Sequence, residues 1–128
     1  MSRILRLAAA QMGPTQRADS REAVLARMIA LLEQAAGQGA QLVVFPELAF
    51  TTFFPRWLLE GAELDQYYES AMPNPQVQPL FDRAKALGVG FYAGYAERTP
   101  EGQRFNSAIT TAPDGKLTLA RARQETID

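Results

Sequence analysis

Apolar positions along the chain follow two rhythms, a continuous run typical of buried strands and a three-to-four spacing typical of helices. Ile4-Leu5-Arg6-Leu7-Ala8-Ala9-Ala10 is a mostly apolar run closed by Gln11-Met12-Gly13-Pro14, and it predicts a buried strand. Asp19 followed three residues later by Glu22 has the pattern of a capping box. Behind it Val24, Met28, Leu31 and Ala35, flanked by Leu25, Ile29, Leu32 and Ala36, recur at helical spacing up to Gly37 and Gly39. Gln41-Leu42-Val43-Val44-Phe45, β-branched and aromatic, predicts a second buried strand ending at Pro46, with Glu47 just past it.

The pattern weakens from Leu48 to Ala71, which reads as a loop with one or two short helical pieces. Asn74-Pro75 fits an N-cap followed by proline at the first helical position, and Val77, Leu80, Phe81, Ala84 and Leu87 give the apolar stripe of a helix from about Pro75 to Leu87. Val89 to Ala96 and Phe105 to Ala112 predict strands, and Pro113-Asp114-Gly115-Lys116 is a turn leading into a last strand, Leu117 to Leu119. The order β-α-β-loop-α-β-β-β argues for an α/β sheet with right-handed crossovers. There is no internal repeat, low-complexity segment or linker. The last nine residues, from Ala120 to Asp128, follow a strand with no helix behind it, as if a domain were cut short.

With 128 residues, the chain has the size of one domain or part of one, and at this length a complete domain buries roughly two thirds of its unfolded surface. Thirteen Lys and Arg against fourteen Asp and Glu leave a net charge of -1, which disfavours nucleic acid or an anionic membrane surface as a partner. No apolar run approaches the ~20 residues of a membrane span, and no cleavable leader is evident, so a soluble cytoplasmic protein is expected. Cysteine and histidine are both absent, which removes disulfides, thiolate nucleophiles, Ser-His-Asp triads and nearly every zinc site. Any catalysis by this chain alone falls to carboxylates, hydroxyls, lysines or backbone.

Glu47 is the first candidate, because open α/β sheets place ligands beyond the carboxyl ends of their strands, where a carboxylate has a desolvated side and can serve as a general base. Position alone serves equally a glutamate that caps backbone amides. Phe50, Phe53, Phe54 and Trp57, with Arg56 among them, suit either an apolar pocket with a cation for a carboxylate or the packing of a loop, the second being the commoner use of such residues. Tyr67, Tyr68 and Glu69 read as a partly exposed helix face, and Asn106 either orients a loop near the sheet end or, as is commoner for a strand asparagine, serves local backbone. Gly88, Gly90 and Gly94 fall inside a strand, mark close backbone packing, and form no phosphate-binding fingerprint. Thr51 and Thr52 lack a base suited to activating them, and no metal constellation exists.

Val43-Val44-Phe45-Pro46-Glu47-Leu48 resembles the first signature of the nitrilase superfamily of carbon-nitrogen hydrolases, and the order of strand, helix, Gly39 and strand around it agrees up to about Leu119. Within that superfamily, Pro46 to Trp57 is similar to the segment found in N-carbamoyl-D-amino acid amidohydrolases. So are Tyr68-Glu69, Met72-Pro73, Gly90-Phe91, Gly94-Tyr95-Ala96-Glu97 and Arg104-Phe105-Asn106. The resemblance implies the N-terminal half of a four-layer α-β-β-α sandwich over residues 1–119, followed by a divergent or truncated tail at 120–128. It also implies homo-oligomers, a small carbamoyl or amide substrate, and hydrolysis of N-carbamoyl-D-amino acids to amino acid, ammonia and carbon dioxide without metal or organic cofactor. Phe53, Phe54, Arg56 and Trp57 are expected near the pocket.

The resemblance further implies a Glu-Lys-Cys triad, in which a thiolate attacks the carbamoyl carbon, glutamate shuttles the proton and lysine stabilises the oxyanion. Glu47 matches the glutamate. Counting on from Gly115, Arg121-Ala122-Arg123 stand where the family has Tyr-Arg-Lys, so Arg123 takes the place of the lysine, and no cysteine is present. A partial gene product, a shifted reading frame or a trimmed chain each give this pattern, and the isolated chain is expected to be inactive and marginally folded. The alternatives are a non-catalytic half-domain that pairs through its sheet edge or an oligomer surface, and an amidase of the same superfamily with another substrate.

Overall fold

The computed structural model describes residues 2–123, the last through its backbone only. Five strands form one sheet in the order β1-β2-β3-β4-β5: β1 Leu7–Ala9, β2 Leu42–Val44, β3 Gly90–Arg98, β4 Arg104–Thr111 and β5 Leu117–Arg123. The first three run parallel, joined through α1 (Arg21–Gly37) and α3 (Gln78–Leu87), while β4 and β5 follow as an antiparallel meander. Between β2 and α3 lie a single 3₁₀ turn at Phe54–Arg56 and the short α2, Gly61–Asp65, the two helical pieces that the weak pattern predicts.

The helix starts differ from the sequence expectation. Ser20, in extended backbone, caps α1 and accepts a hydrogen bond from the Ala23 amide, whereas Asp19 turns back to accept from the Gln16 amide. A hydroxyl one residue nearer the helix outcompetes the carboxylate of the predicted box. Asn74 does cap, accepting from the amides of Gln76 and Val77, but it closes a separate turn, and α3 begins only at Gln78. Gly88 lies outside the strand in which it was expected and ends α3 in the left-handed conformation at φ +66°.

Both helices pack on one face of the sheet. Register places Val43 beside Phe91, and these, with Phe45, Met28, Leu32 and Leu80, form a fully buried core in which each large side chain contributes roughly 1.5–3 kcal/mol. Phe91 meets Phe45 and Phe81 edge to face. The opposite face is open: Val44 sits beside Tyr92 and Ala9, leaving Leu7 60%, Val44 37% and Tyr92 39% exposed. The first strand is therefore not buried as its composition suggests. It is a three-residue edge, because its apolar side chains have helices to pack on at one face only. The chain thus contributes one sheet and one helix layer of an α-β-β-α arrangement. No break in β5 marks position 119, and of the tail expected at 120–128, residues 124–128 lie outside the described residues.

Candidate active site

Glu47 emerges where β2 ends, and three local features fix its backbone. The Phe45 amide donates to the Tyr92 carbonyl and the Ala49 amide to the Gly94 carbonyl, so the chain follows β3 beyond its last paired residue. A Cβ at Gly94 would lie 2.9 Å from the Cα of Glu47, 3.1 Å from the Leu48 nitrogen and 3.3 Å from the Pro46 oxygen, so only glycine permits this approach. Leu48 then takes φ +48°, a conformation rare for a residue with a branched side chain, while its own side chain is buried beneath the loop.

The carboxylate projects to the open side of the sheet. Asn106, directly across from Ala96 on β4, donates from Nδ2 to Glu47 Oε1 at 2.7 Å. Both side chains are exposed, so the desolvated carboxylate expected from sequence is not found. Glu47 lines two hollows. One, of about 230 Å³, is bounded by Met12 to Gln16, Thr51, Thr52, Phe53, Arg56 and Trp57. The other, a trough of about 370 Å³ on the open face, runs over Tyr92, Gly94, Asn106, Ala108, Ala120 and Ala122.

Of the expected pocket residues, Phe53, Arg56 and Trp57 share the first hollow with Glu47. Phe54 does not. It is 2% exposed, stacks on Tyr67 at 5.0 Å and meets Tyr68 edge-on at 5.5 Å, so it anchors the loop from beneath. The Thr51 hydroxyl donates to the Thr52 carbonyl. Glu69 belongs to no exposed helix face: it is buried, paired with Arg21 and hydrogen-bonded by Asn74. Among the described residues no group of three or more His, Cys, Asp or Glu side chains gathers as a metal would require, and no helix is long and apolar enough to cross a membrane.

Asn106, read from sequence chiefly as serving local backbone, instead gives its side-chain amide to the Glu47 carboxylate. Its signal lay in the meander, where counting back from the Asp114-Gly115 turn brings it to the same end of the sheet as Glu47. The basic residue two positions ahead of Arg123 goes elsewhere. Arg121 donates from Nε and Nη2 to the two oxygens of Glu97, each at 2.6 Å, on the strand positions that alternate to the opposite face from Asn106 and Ala122. With Ser107 also donating at 2.8 Å, the Arg121 hydrogen bonds hold the Glu97 carboxyl below the usual carboxylate range. Burial, aided by Glu97, pushes the neighbouring Tyr95 phenol up to about 12. The side chain of Arg123 lies outside the described residues.

A five-stranded sheet with helices on one face is a fold that comparison with known proteins identifies. The family model described as carbon-nitrogen hydrolase matches residues 6–127, and the chain belongs to that family, the nitrilase superfamily. It is 30% identical to a nitrilase from Paraburkholderia phymatum over 94% of this chain and 37% of the relative. It is 28% identical to the omega-amidase NIT2 of Danio rerio over 81% of this chain and 35% of that protein. Thus the chain spans little more than a third of the length of these relatives. Among solved structures it is similar to a carbon-nitrogen hydrolase superfamily protein from Xanthomonas campestris that carries an arsenic adduct in its active site. That match has a TM-score of 0.70 and 28% identity, over 94% of this chain and 41% of that one. An amidase from Nesterenkonia shares the fold at TM-score 0.68 and 22% identity, over 94% of this chain and 42% of that one.

Proposed function

We propose that this chain is the glutamate-bearing portion of an amidohydrolase that cleaves N-carbamoyl-D-amino acids to amino acid, ammonia and carbon dioxide, with Glu47 as general base. The observation that carries the reading is the Glu47 carboxylate, pinned through Oε1 by Asn106 where two hollows meet, which leaves Oε2 to take a proton. Neither a thiol nor the family's lysine is present in the chain, so it binds without turning over.

An ammonia-release assay and a side-chain NMR titration on the same sample test this, using a panel of N-carbamoyl-D- and L-amino acids, simple amides and nitriles. The expected result is no ammonia, with shifts at Glu47 and Asn106 that favour the carbamoyl-D compounds. Amides or nitriles shifting these residues while carbamoyl compounds do not would overturn the substrate class in favour of another amidase, a reading that similarity to the omega-amidase supports. Ammonia release abolished by Glu47→Gln would overturn the inactivity. A non-catalytic pairing module is the further alternative, favoured by the exposed Leu7, Val44 and Tyr92 of the open face. A titration without shifts from any compound would support it.

A further inference from the structure

The segment after β1 supplies one wall of the Glu47 hollow, through Met12, Gly13, Pro14, Thr15 and Gln16, yet it has no backbone pairing to hold it there. Among the described residues, positions 12–15 make no backbone–backbone hydrogen bond, and Gly13 turns the chain at φ +71° immediately before Pro14. One side chain gathers the wall instead. Arg27, on α1, donates from Nη1 to the Pro14 carbonyl at 3.1 Å and from Nη2 to the Thr15 hydroxyl at 3.0 Å, with longer contacts of 3.5 Å from Nη1 to the Met12 carbonyl and from Nη2 to Asp19. Asp19 in turn accepts from the Gln16 amide at 2.8 Å. Val24 and Met28, buried on α1 one turn before and one residue after Arg27, fix the helix from which the guanidinium reaches.

We propose that Arg27 is the positioning residue of this hollow and holds the Met12–Gln16 wall in the place that a substrate at Glu47 packs against. Arg27 is not among the residues lining the hollow, so it acts through the wall and not on the reacting atoms. For the identity of the substrate the proposal rests on the amidohydrolase reading above. Arginine suits the task because a planar guanidinium presents five N–H donors in a fixed fork and serves several acceptors at once, whereas an ammonium is a single point on a flexible stem. The wall's second tie is weaker. Arg17 lies over the Trp57 ring at 5.1 Å and 3.5 Å from Glu63, an ion pair between side chains that are 44% and 67% exposed and therefore well screened. Without the Arg27 fork the segment regains conformational freedom, which a ligand must then remove on binding. The loss falls on the hollow and on the ring that Arg17 covers, while the buried core, which Arg27 does not enter, keeps its packing.

Trp57 lines the same hollow and is the chain's single tryptophan, so its fluorescence reports on that site. Two readouts are taken on the 128-residue chain: quenching of Trp57 by acrylamide, and saturation of the Trp57 signal by N-carbamoyl-D-alanine. Arg27→Gln should roughly double the acrylamide quenching constant and weaken binding of N-carbamoyl-D-alanine about tenfold. Arg27→Lys, which keeps the charge and the stem, should fall between Arg27→Gln and the wild type. Leu32→Val, a change in the buried core on the same helix, should lower the urea midpoint and move neither readout. Unchanged quenching in Arg27→Gln, unchanged affinity, or equal changes in Leu32→Val would each overturn the proposal. Where Arg27→Gln does not fold, Arg27→Lys must show both changes on its own, and a lysine variant that matches the wild type would overturn it. No saturable response of the wild-type chain to N-carbamoyl-D-alanine would count against the substrate reading alone, since raised acrylamide access confined to the Arg27 variants would still uphold the positioning role.

Discussion

Asn106 Nδ2 and Glu47 Oε1 meet at 2.7 Å although 59 positions separate them in the chain. The contact joins the end of a parallel strand to the start of a meander strand, so it exists only when both halves of the sheet have formed. Because the pair is exposed, its removal by Asn106→Ala should cost stability by no more than about 1 kcal/mol, read as a small shift in urea midpoint. Its signature lies in the orientation of the carboxylate. The Asn106 side-chain amide resonances should move as the Glu47 carboxylate is protonated and should stop doing so in Glu47→Gln. An amide that titrates identically in both proteins would show that the bond is not held in solution.

Gly94 tests whether backbone packing, more than side chains, positions Glu47. In Gly94→Ala the new methyl meets three backbone atoms of residues 46–48, none of which belongs to a flexible side chain. Such overpacking costs about 1–3 kcal/mol, and here the strand end carrying Glu47 must give way. Gly90→Ala is the matched comparison, since its methyl would lie 2.4 Å from the Thr111 carbonyl oxygen, far from the carboxylate. Both variants should lower the denaturation midpoint, but only Gly94→Ala should abolish the Asn106 amide response. Loss of that response in both would mean a general loosening of the sheet.

The strength of the sequence signal tracks how local its cause is. The long helix, the parallel strands and the Asp114-Gly115 hairpin were legible because periodicity and turn chemistry act over a few residues. The Ser20 cap and the late start of α3 were misread because several neighbouring side chains compete for the same amides, and geometry decides between them. Burial of the first strand was misjudged for a different reason: composition reports what a residue tolerates, while the exposure of Leu7 depends on which layers surround it. Glu47 drew notice through its position after an apolar strand. Asn106 was passed over because its partner lies on another strand, and no local pattern distinguishes an asparagine that serves a carboxylate from one that serves its own backbone.

Phe54 separates packing from pocket within a single aromatic segment. Being buried and stacked on Tyr67, it should behave as a core residue, so Phe54→Ala should cost about 3–5 kcal/mol. Phe53, which is largely exposed, should cost far less as alanine. In ligand titrations the order reverses: Phe53→Ala should weaken the Trp57 response, while the milder Phe54→Leu should lower the unfolding midpoint and leave that response unchanged. Equal destabilisation by the two alanine variants would place both side chains in one role.

The Glu97 cluster on the helix-bearing side of the sheet makes the stability of the fold depend on pH at both ends of the scale. The Arg121 and Ser107 hydrogen bonds lower the folded-state pKa of Glu97, so the folded chain releases this proton more readily than the unfolded one. The resulting stability is fully present above the unfolded value, near ~4.3, and is lost as pH falls through the lower folded value. Arg121→Gln should therefore lower the melting temperature clearly at pH 7 and progressively less as pH falls through the lowered folded value of Glu97. Tyr95 runs in the opposite sense. Its folded pKa is raised to about 12, chiefly by burial, so its contribution is complete below the unfolded value of ~10 and disappears as pH rises through 12. Absorbance at the phenolate band should show one late-titrating tyrosine that is missing in Tyr95→Phe, and the melting temperature of the wild-type protein should fall relative to that of Tyr95→Phe as pH rises above ~10. A melting-temperature difference for Arg121→Gln that stays constant as pH falls from 7 through the lowered Glu97 value would separate Arg121 from the Glu97 carboxylate and attribute its effect to packing of its stem alone.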